Sequence, residues 1–254
     1  MTLDTKPASK SVGARKSMIK SMIKTHRFAA MLLSSALLVA APASLQSQPR
    51  PGHLDGVLRQ MDEASKKFVS AEANFRWDLY ERVVKETTTQ TGTIYFKRAN
   101  GGAVMGAKIT SPAVKLLEYR DGRIRVFEPG IDHLTIFTSK GNQAQWESFL
   151  TLGFGGGGTD LANAWTISDL GDEVVDGVKT AKLDLVPKDP SVRSNCTHMT
   201  IWVDPVRGIT LKQSLYMPSG DYRTAVYSNI KYNEKIDEKP YEIKKDSKTT
   251  VDQH

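Results

Sequence analysis

The sequence predicts a mainly β (α+β) chain: a long antiparallel sheet that curls, one N-terminal helix packed against it, and a helical insertion midway. Three observations carry that class. From Ala73 onward apolar and polar residues alternate at a period of two over several stretches. Asp121-Gly122, Pro129-Gly130 and Asp176-Gly177 mark turns between those stretches. The apolar spacing of a helix occurs before Val69, and the alternation lapses only between Lys140 and Trp165.

The formal charge of +7 is not spread along the 254 residues. Residues 1–43 hold seven basic side chains and the single acid Asp4, so their +6 leaves +1 for the rest. A charge so located gives no basic face for nucleic acid, and that class of partner is excluded. The same segment has the order of a secretory signal peptide: basic residues to Arg27, an apolar run from Phe28 to Ala41, then Ala41-Pro42-Ala43 for cleavage. The run is short for a membrane span; a signal anchor is the alternative reading, and Met18 and Met22 are alternative starts. No cysteine follows the run closely, so an exported protein without a lipid anchor is expected. Residues 44–53, with Pro49 and Pro51, read as a linker, 54–243 as the folded domain and 244–254 as a polar, disordered tail.

Within the domain, Asp55 is placed to cap a helix running to about Val69, its stripe formed by Val57, Leu58, Met61, Ala64 and Phe68. Alternation then puts Phe75, Trp77 and Leu79 on one face of a strand. The next strand, Thr88 to Arg98, carries Gly92, Ile94, Phe96 and Arg98 on one side and Thr93, Tyr95 and Lys97 on the other. An arginine closing an apolar stripe must reach water or meet acceptors supplied by something lying across the sheet. Met105 and Ile109 share a face of the following strand, and strands over 114–119, 123–128 and 134–138 complete a meander. Trp146, Phe149, Leu150 and Phe154 fall in the insertion, with the glycine run 153–158 as a flexible hinge and Thr159 as the cap of a short helix, 160–165. Strands resume over 178–187, 197–204, 209–217 and 222–232, giving roughly ten, all antiparallel.

The chemistry-bearing motifs are sparse. Gly153, Gly155 and Gly158 match a dinucleotide-binding spacing, but no strand enters the run and no lysine–serine pair follows it, so neither a dinucleotide nor a phosphate loop is expected. Cys196 and His198 are two apart without a second ligand pair, so no metal is expected. Cys196 is the sole cysteine, which excludes an internal disulfide, and the Asn195-Cys196-Thr197 sequon is silent in a bacterial periplasm. The acidic group Asp169, Asp172, Glu173 and Asp176 lies near a turn and reads as solvated carboxylates. No nucleophile elbow is present. The expectation is a binding protein with no enzyme activity, catalytic residue or cofactor. Its site is an apolar sheet surface of Phe75, Trp77, Leu79, Ile94, Phe96, Met105 and Ile109 under a lid of Trp146, Phe149, Leu150 and Phe154. Such a surface is suited to acyl chains, or is simply the packed core.

The order of motifs resembles a known family. The signal peptide, the N-terminal helix, Gly92-x-Ile94-Tyr95-Phe96-Lys97-Arg98, Ser111-Pro112, Asp121-Gly122 and Leu183-x-Leu185-Val186-Pro187-Lys188 are similar to periplasmic outer-membrane lipoprotein carrier proteins (LolA-like) over about 54–243. The resemblance implies an incomplete β-barrel closed by a helical lid. It implies a periplasmic, monomeric carrier that takes acylated lipoproteins from an inner-membrane lipoprotein-releasing ABC transporter to an outer-membrane lipoprotein acceptor. It also implies that Arg98, matched through Lys97-Arg98-x-Asn100, is the latch holding the lid closed. Ala99 stands where the family's proline follows that arginine, and the glycine-rich 100–106 replaces an aromatic strand. An envelope sensor or a glycolipid-binding protein of the same fold is the alternative.

Overall fold

The computed structural model describes residues 52–99, 102–138 and 152–254. Twelve strands form one open sheet. They are β1 (Ser70–Glu81), β2 (Glu86–Ala99), β3 (Gly102–Ser111), β4 (Lys115–Arg120), β5 (Arg123–Glu128), β6 (His133–Thr138), β7 (Trp165–Val175), β8 (Val178–Pro187), β9 (His198–Asp204), β10 (Ile209–Tyr216), β11 (Tyr222–Tyr232) and β12 (Thr250–Gln253). Their order is β12-β6-β5-β4-β3-β2-β1-β11-β10-β9-β8-β7. Two meanders, β1–β6 and β7–β11, thus join where β11 pairs antiparallel with β1. A twisted sheet of this size curls, and its two edges stay unpaired with one another, so the predicted mainly β, incomplete-barrel class holds. The helices are few: α1 (His53–Lys67), α2 (Gly158–Ala164), the single turn α3 (Pro190–Arg193) and a 3-10 turn, Lys239–Tyr241.

Register places the alternating residues as expected. Ala71 pairs with Phe96 and Phe96 with Met105; Phe75 pairs with Gly92 and Gly92 with Ile109. Phe75, Ile94, Phe96, Met105 and Ile109 therefore share the inner face and lie buried in one cluster with Phe68, Tyr119 and Tyr227. A second cluster joins Val57 and Met61 of α1 to Leu183, Leu185, Met199 and Ile201. The helix stripe buries Val57, Met61 and Ala64 as the spacing required.

Four expectations need correction. The strand β7 falls where only a turn was foreseen, because its run Ser168–Glu173 is polar and its pairing with β8 shifts between Asp169 and Asp172, which breaks the alternation. The tail is not devoid of structure: β12 pairs parallel to β6, so the sheet is not wholly antiparallel. Neither predicted cap acts as one. The first helix begins after Gly52, in a left-handed conformation, and α2 begins after Gly157, leaving Thr159 inside it. Cys196 precedes β9, so it shares no strand face with His198; it is buried, and burial pushes its thiol up to about 11.

The outer face explains the glycine-rich third strand. Gly106 lies opposite Tyr95, and a Cβ there would stand 2.3 Å from the Tyr95 ring and 3.1 Å from Tyr241. Tyr241 packs edge-on against Tyr95 at 4.8 Å and donates to Glu72 at 2.7 Å. Glu238 accepts from Lys97 at 2.8 Å and from Tyr95 and Arg120 at 3.2 Å each. The chain leaving β11 is thereby held across the outer face on its way to the β6 edge.

At the N-terminus of α1, the ring of His53 lies between two carboxylates of β7, Asp169 at 2.7 Å and Asp172 at 3.1 Å, and Lys179 pairs with Asp172 at 2.9 Å. Burial raises the Asp172 pKa, but the Lys179 hydrogen bond and charge, with His53, outweigh it and hold the carboxyl below its ordinary value. A depressed folded pKa contributes stability that is fully present above the unfolded value, about 3.9, and is lost as pH falls through the folded one. Asp172→Asn is therefore expected to lower unfolding free energy by about 1–2 kcal/mol at pH 7, with the difference from wild type shrinking below about pH 4. Urea titrations at the two pH values check this; an equal loss at both would remove the charge from the account.

Candidate functional site

The inner face is closed at its centre by Phe154. Its ring stacks on Phe96 at 4.2 Å and meets Tyr227 edge-on at 5.1 Å. Backbone bonds seat it: Phe154 bridges Ile209, the Thr210 amide donates to the Gly153 carbonyl at 2.7 Å, and the Gly155 amide donates to the Gly208 carbonyl at 3.3 Å. On the other side lies α1. Ser65 Oγ donates to the Gly155 carbonyl at 2.8 Å, and the Thr159 amide and hydroxyl donate to Asp62 at 2.9 and 2.8 Å. Burial raises the Asp62 pKa, but the bonds from Thr159 and Gly158 together with the Lys66 charge more than reverse this, so the carboxyl sits below its usual range.

Arg98 reaches the same point. Its guanidinium donates from Nη2 to the Gly155 carbonyl and to Ser65 Oγ, both at 3.3 Å. The side chain is exposed at the rim, and its acceptors are a carbonyl and a hydroxyl, both neutral. The arginine at the end of the apolar stripe thus meets acceptors on the segment that carries Phe154. Trp146, Phe149 and Leu150 lie outside the described residues.

The glycine run is not a loose hinge over its described part. Gly155 has φ +83°, and a Cβ on it would stand 2.3 Å from the Phe68 ring. At Gly158 the Cβ would stand 2.1 Å from the Leu58 carbonyl oxygen. These glycines let the segment touch α1, which the sequence could not show because the partners lie about a hundred residues away.

Of the seven sheet residues expected to line a site, Phe75, Ile94, Phe96, Met105 and Ile109 are in the closed cluster, whereas Trp77 and Leu79, nearer the β1–β2 turn, are only half-buried. Trp77 stacks on Phe75 at 4.1 Å, and the Tyr227 hydroxyl accepts from Gln213 at 3.0 Å. Burial pushes the Tyr227 phenol up to about 12, although the Arg223 charge and the Trp77 indole oppose it. Sequence reasoning missed Asp62, Ser65, Gln213, Arg223 and Tyr227. Only the last two left a signal, occupying the inward phase of β11 with Ala225 between them.

The acidic group is engaged in pairs: Asp169 and Asp172 with His53, and Glu173 with Lys182 at 3.0 Å. Among the described residues no group of three or more histidine, cysteine or carboxylate side chains is arranged to hold a metal. None of their helices is long and apolar enough to cross a membrane.

No family model matches the sequence, and no curated protein matches it. Solved structures do. The chain is similar in fold to a LolA superfamily protein from Nitrosomonas europaea, at 15% identity over 75% of this chain and 97% of that one, with a TM-score of 0.38. It is similar to the Mycobacterium tuberculosis lipoprotein LppX, at 16% identity over 74% and 99% of the two chains and a TM-score of 0.46. A chain of the Pseudomonas aeruginosa MucA/MucB complex is 16% identical over 75% of this chain but 61% of its own length, with a TM-score of 0.45.

The close approach at Gly158 gives a test. Gly158→Ala puts a methyl group into backbone that cannot swing aside, and it is expected to cost about 1–3 kcal/mol of stability. Denaturant midpoints of the variant against wild type measure it; an unchanged midpoint would mean that α1 and α2 do not pack this closely.

Proposed function

We propose that this chain is a periplasmic carrier that binds the acyl chains of lipoproteins against its inner face and moves them from the inner to the outer membrane. The leader supports export, and the motif order supports the family's role. One observation carries the reading: the aromatic plug of the inner face, Phe154, is held shut at the rim by hydrogen bonds from Arg98 and Ser65 to the neighbouring Gly155 carbonyl.

That arrangement is suited to reversible binding without a bond-making step. Unseating Phe154 gives up about 2 kcal/mol of apolar burial and about 1–2 kcal/mol of hydrogen bonding at an exposed rim. Each acyl methylene laid against Phe96, Met105 or Ile109 contributes about 0.8 kcal/mol in return, so a handful of methylenes offsets the opening. Arg98 serves as the latch because its acceptors are neutral and release it at less cost than a buried carboxylate would. An inner-membrane lipoprotein-releasing transporter and an outer-membrane acceptor are the partners such a carrier requires.

Arg98→Leu is the test. The variant is expected to keep its circular dichroism spectrum and to lose less than about 1 kcal/mol of stability, since the bond is exposed, while its uptake or release of an acylated lipoprotein changes. Normal transfer by the variant would remove Arg98 from the mechanism. Mass spectrometry of the protein purified from its envelope separates the carrier from its rival, since bound acyl lipid supports a carrier and a bound protein without lipid supports a sensor.

A further inference from the structure

The inner face carries a second arginine. Arg223 lies opposite Leu79 of β1 and Leu215 of β10, and Leu215 lies opposite the buried Met199. Its guanidinium carbon stands 5.4 Å from the centre of the Trp77 ring. Among the described residues no carboxylate pairs with it and no hydrogen bond engages it. It contrasts with Lys115, also on the inner face opposite Ile109, which is paired with Glu128 at 2.6 Å. Arg223 keeps exposed surface, yet desolvation by the surrounding protein holds its pKa below the ordinary arginine value, with the Tyr227 phenol opposing.

Around it this end of the inner face is apolar: Trp77, Leu79 and Leu215 are its neighbours, and the buried Tyr227 hydroxyl is already engaged by Gln213. Eight residues of β1 separate Ala71, level with Phe96, from Leu79, level with Arg223. That is about 26 Å of strand, so this guanidinium lies far from the Arg98 latch. A lone cation on an apolar surface is complementary to an anion that arrives attached to a chain.

We infer that the β1–β11 end of the inner face binds an anionic lipid, with its acyl chain along Trp77 and Leu79 and its acidic head group on Arg223. The inference rests on the inner face taking acyl chains and adds to it the charge of the head. Chain without charge, or charge without chain, forgoes half of the contact.

Two fluorescent probes with one chain test it: cis-parinaric acid, ionised at pH 8, and its uncharged methyl ester. The full exported chain is expected to bind the acid about tenfold tighter than the ester, the factor that one charge-assisted hydrogen bond supplies. Arg223→Gln is expected to bring the two affinities together, and Arg223→Lys to keep part of the preference as a point charge. Inorganic phosphate alone is expected not to displace the acid at millimolar concentration. Thermal unfolding of Arg223→Gln should stay within a few degrees of wild type, because only the contact with the Trp77 ring is lost. Equal binding of acid and ester by wild type, or an undiminished preference in Arg223→Gln, overturns the head-group assignment and leaves the carrier reading standing; the arginine then merely covers the indole. Failure of both probes to bind overturns both. A charge preference in a protein that transfers no acylated lipoprotein supports the anionic-lipid site and overturns the carrier.

Discussion

The structure depends on one close approach, that of a glycine-rich backbone to the face of a helix. An open sheet of twelve strands exposes an apolar inner surface that water disfavours, and something must lie on it. Phe154 does so at the centre, but only because its neighbours have no side chains to hold the segment away. The Cβ absent from Gly155 leaves room for Phe68, and that absent from Gly158 leaves room for the Leu58 carbonyl. The β9–β10 turn repeats the device at Gly208, where φ is +65° and a Cβ would come within 2.8 Å of Ala64. Helix α1 and Phe68, the residue that ends it, are the common platform for all three.

On the outer face three cations meet carboxylates: Lys97 and Arg120 pair with Glu238, and Lys231 with Glu72. The segment leading to β12 uses these pairs and the Tyr95–Tyr241 contact to cross the sheet, and β12 then covers the edge strand β6, which would otherwise offer a free row of backbone groups. On the inner face the two arginines have no carboxylate partner among the described residues. Arg98 has neutral acceptors, and Arg223 has an aromatic ring.

Those differences account for what the sequence revealed. Period-two alternation exposed β1 to β6 and β8 to β11, since in each the two phases differ in polarity, and the helical stripe exposed α1. The polar run of β7 and the charged tail of β12 hid both strands, because edge pairing relies on backbone groups rather than side-chain pattern. Arg98 was visible as a cation closing an apolar stripe. Arg223 carries the same signal, standing in phase with Ala225 and Tyr227 at the start of β11, and it passes unnoticed only because that stripe is shorter. Asp62 and Ser65 were invisible for another reason. Their partners, Thr159 and Gly155, are distant in sequence, and a polar residue on the outer side of a helical stripe looks the same whether it faces water or another loop.

The bonding of the two inner-face arginines also sets an order for occupation. To accept an anion, Arg98 must first release the Gly155 carbonyl and thereby loosen the seat of Phe154. Arg223 gives up only a cation–aromatic contact, worth about 1 kcal/mol where solvent reaches it. On the proposed reading, an acidic head group therefore meets Arg223 before any protein hydrogen bond breaks, and the acyl chain behind it would be laid against Trp77 and Leu79 with the plug still closed. Further chain would then be buried by displacing the Phe154 ring from Phe96, the contact beside which Arg98 bonds the Gly155 carbonyl. Binding at the open end and unlatching at the closed end are then successive demands on one apolar surface, and the gain from the first methylenes is available to offset the second step.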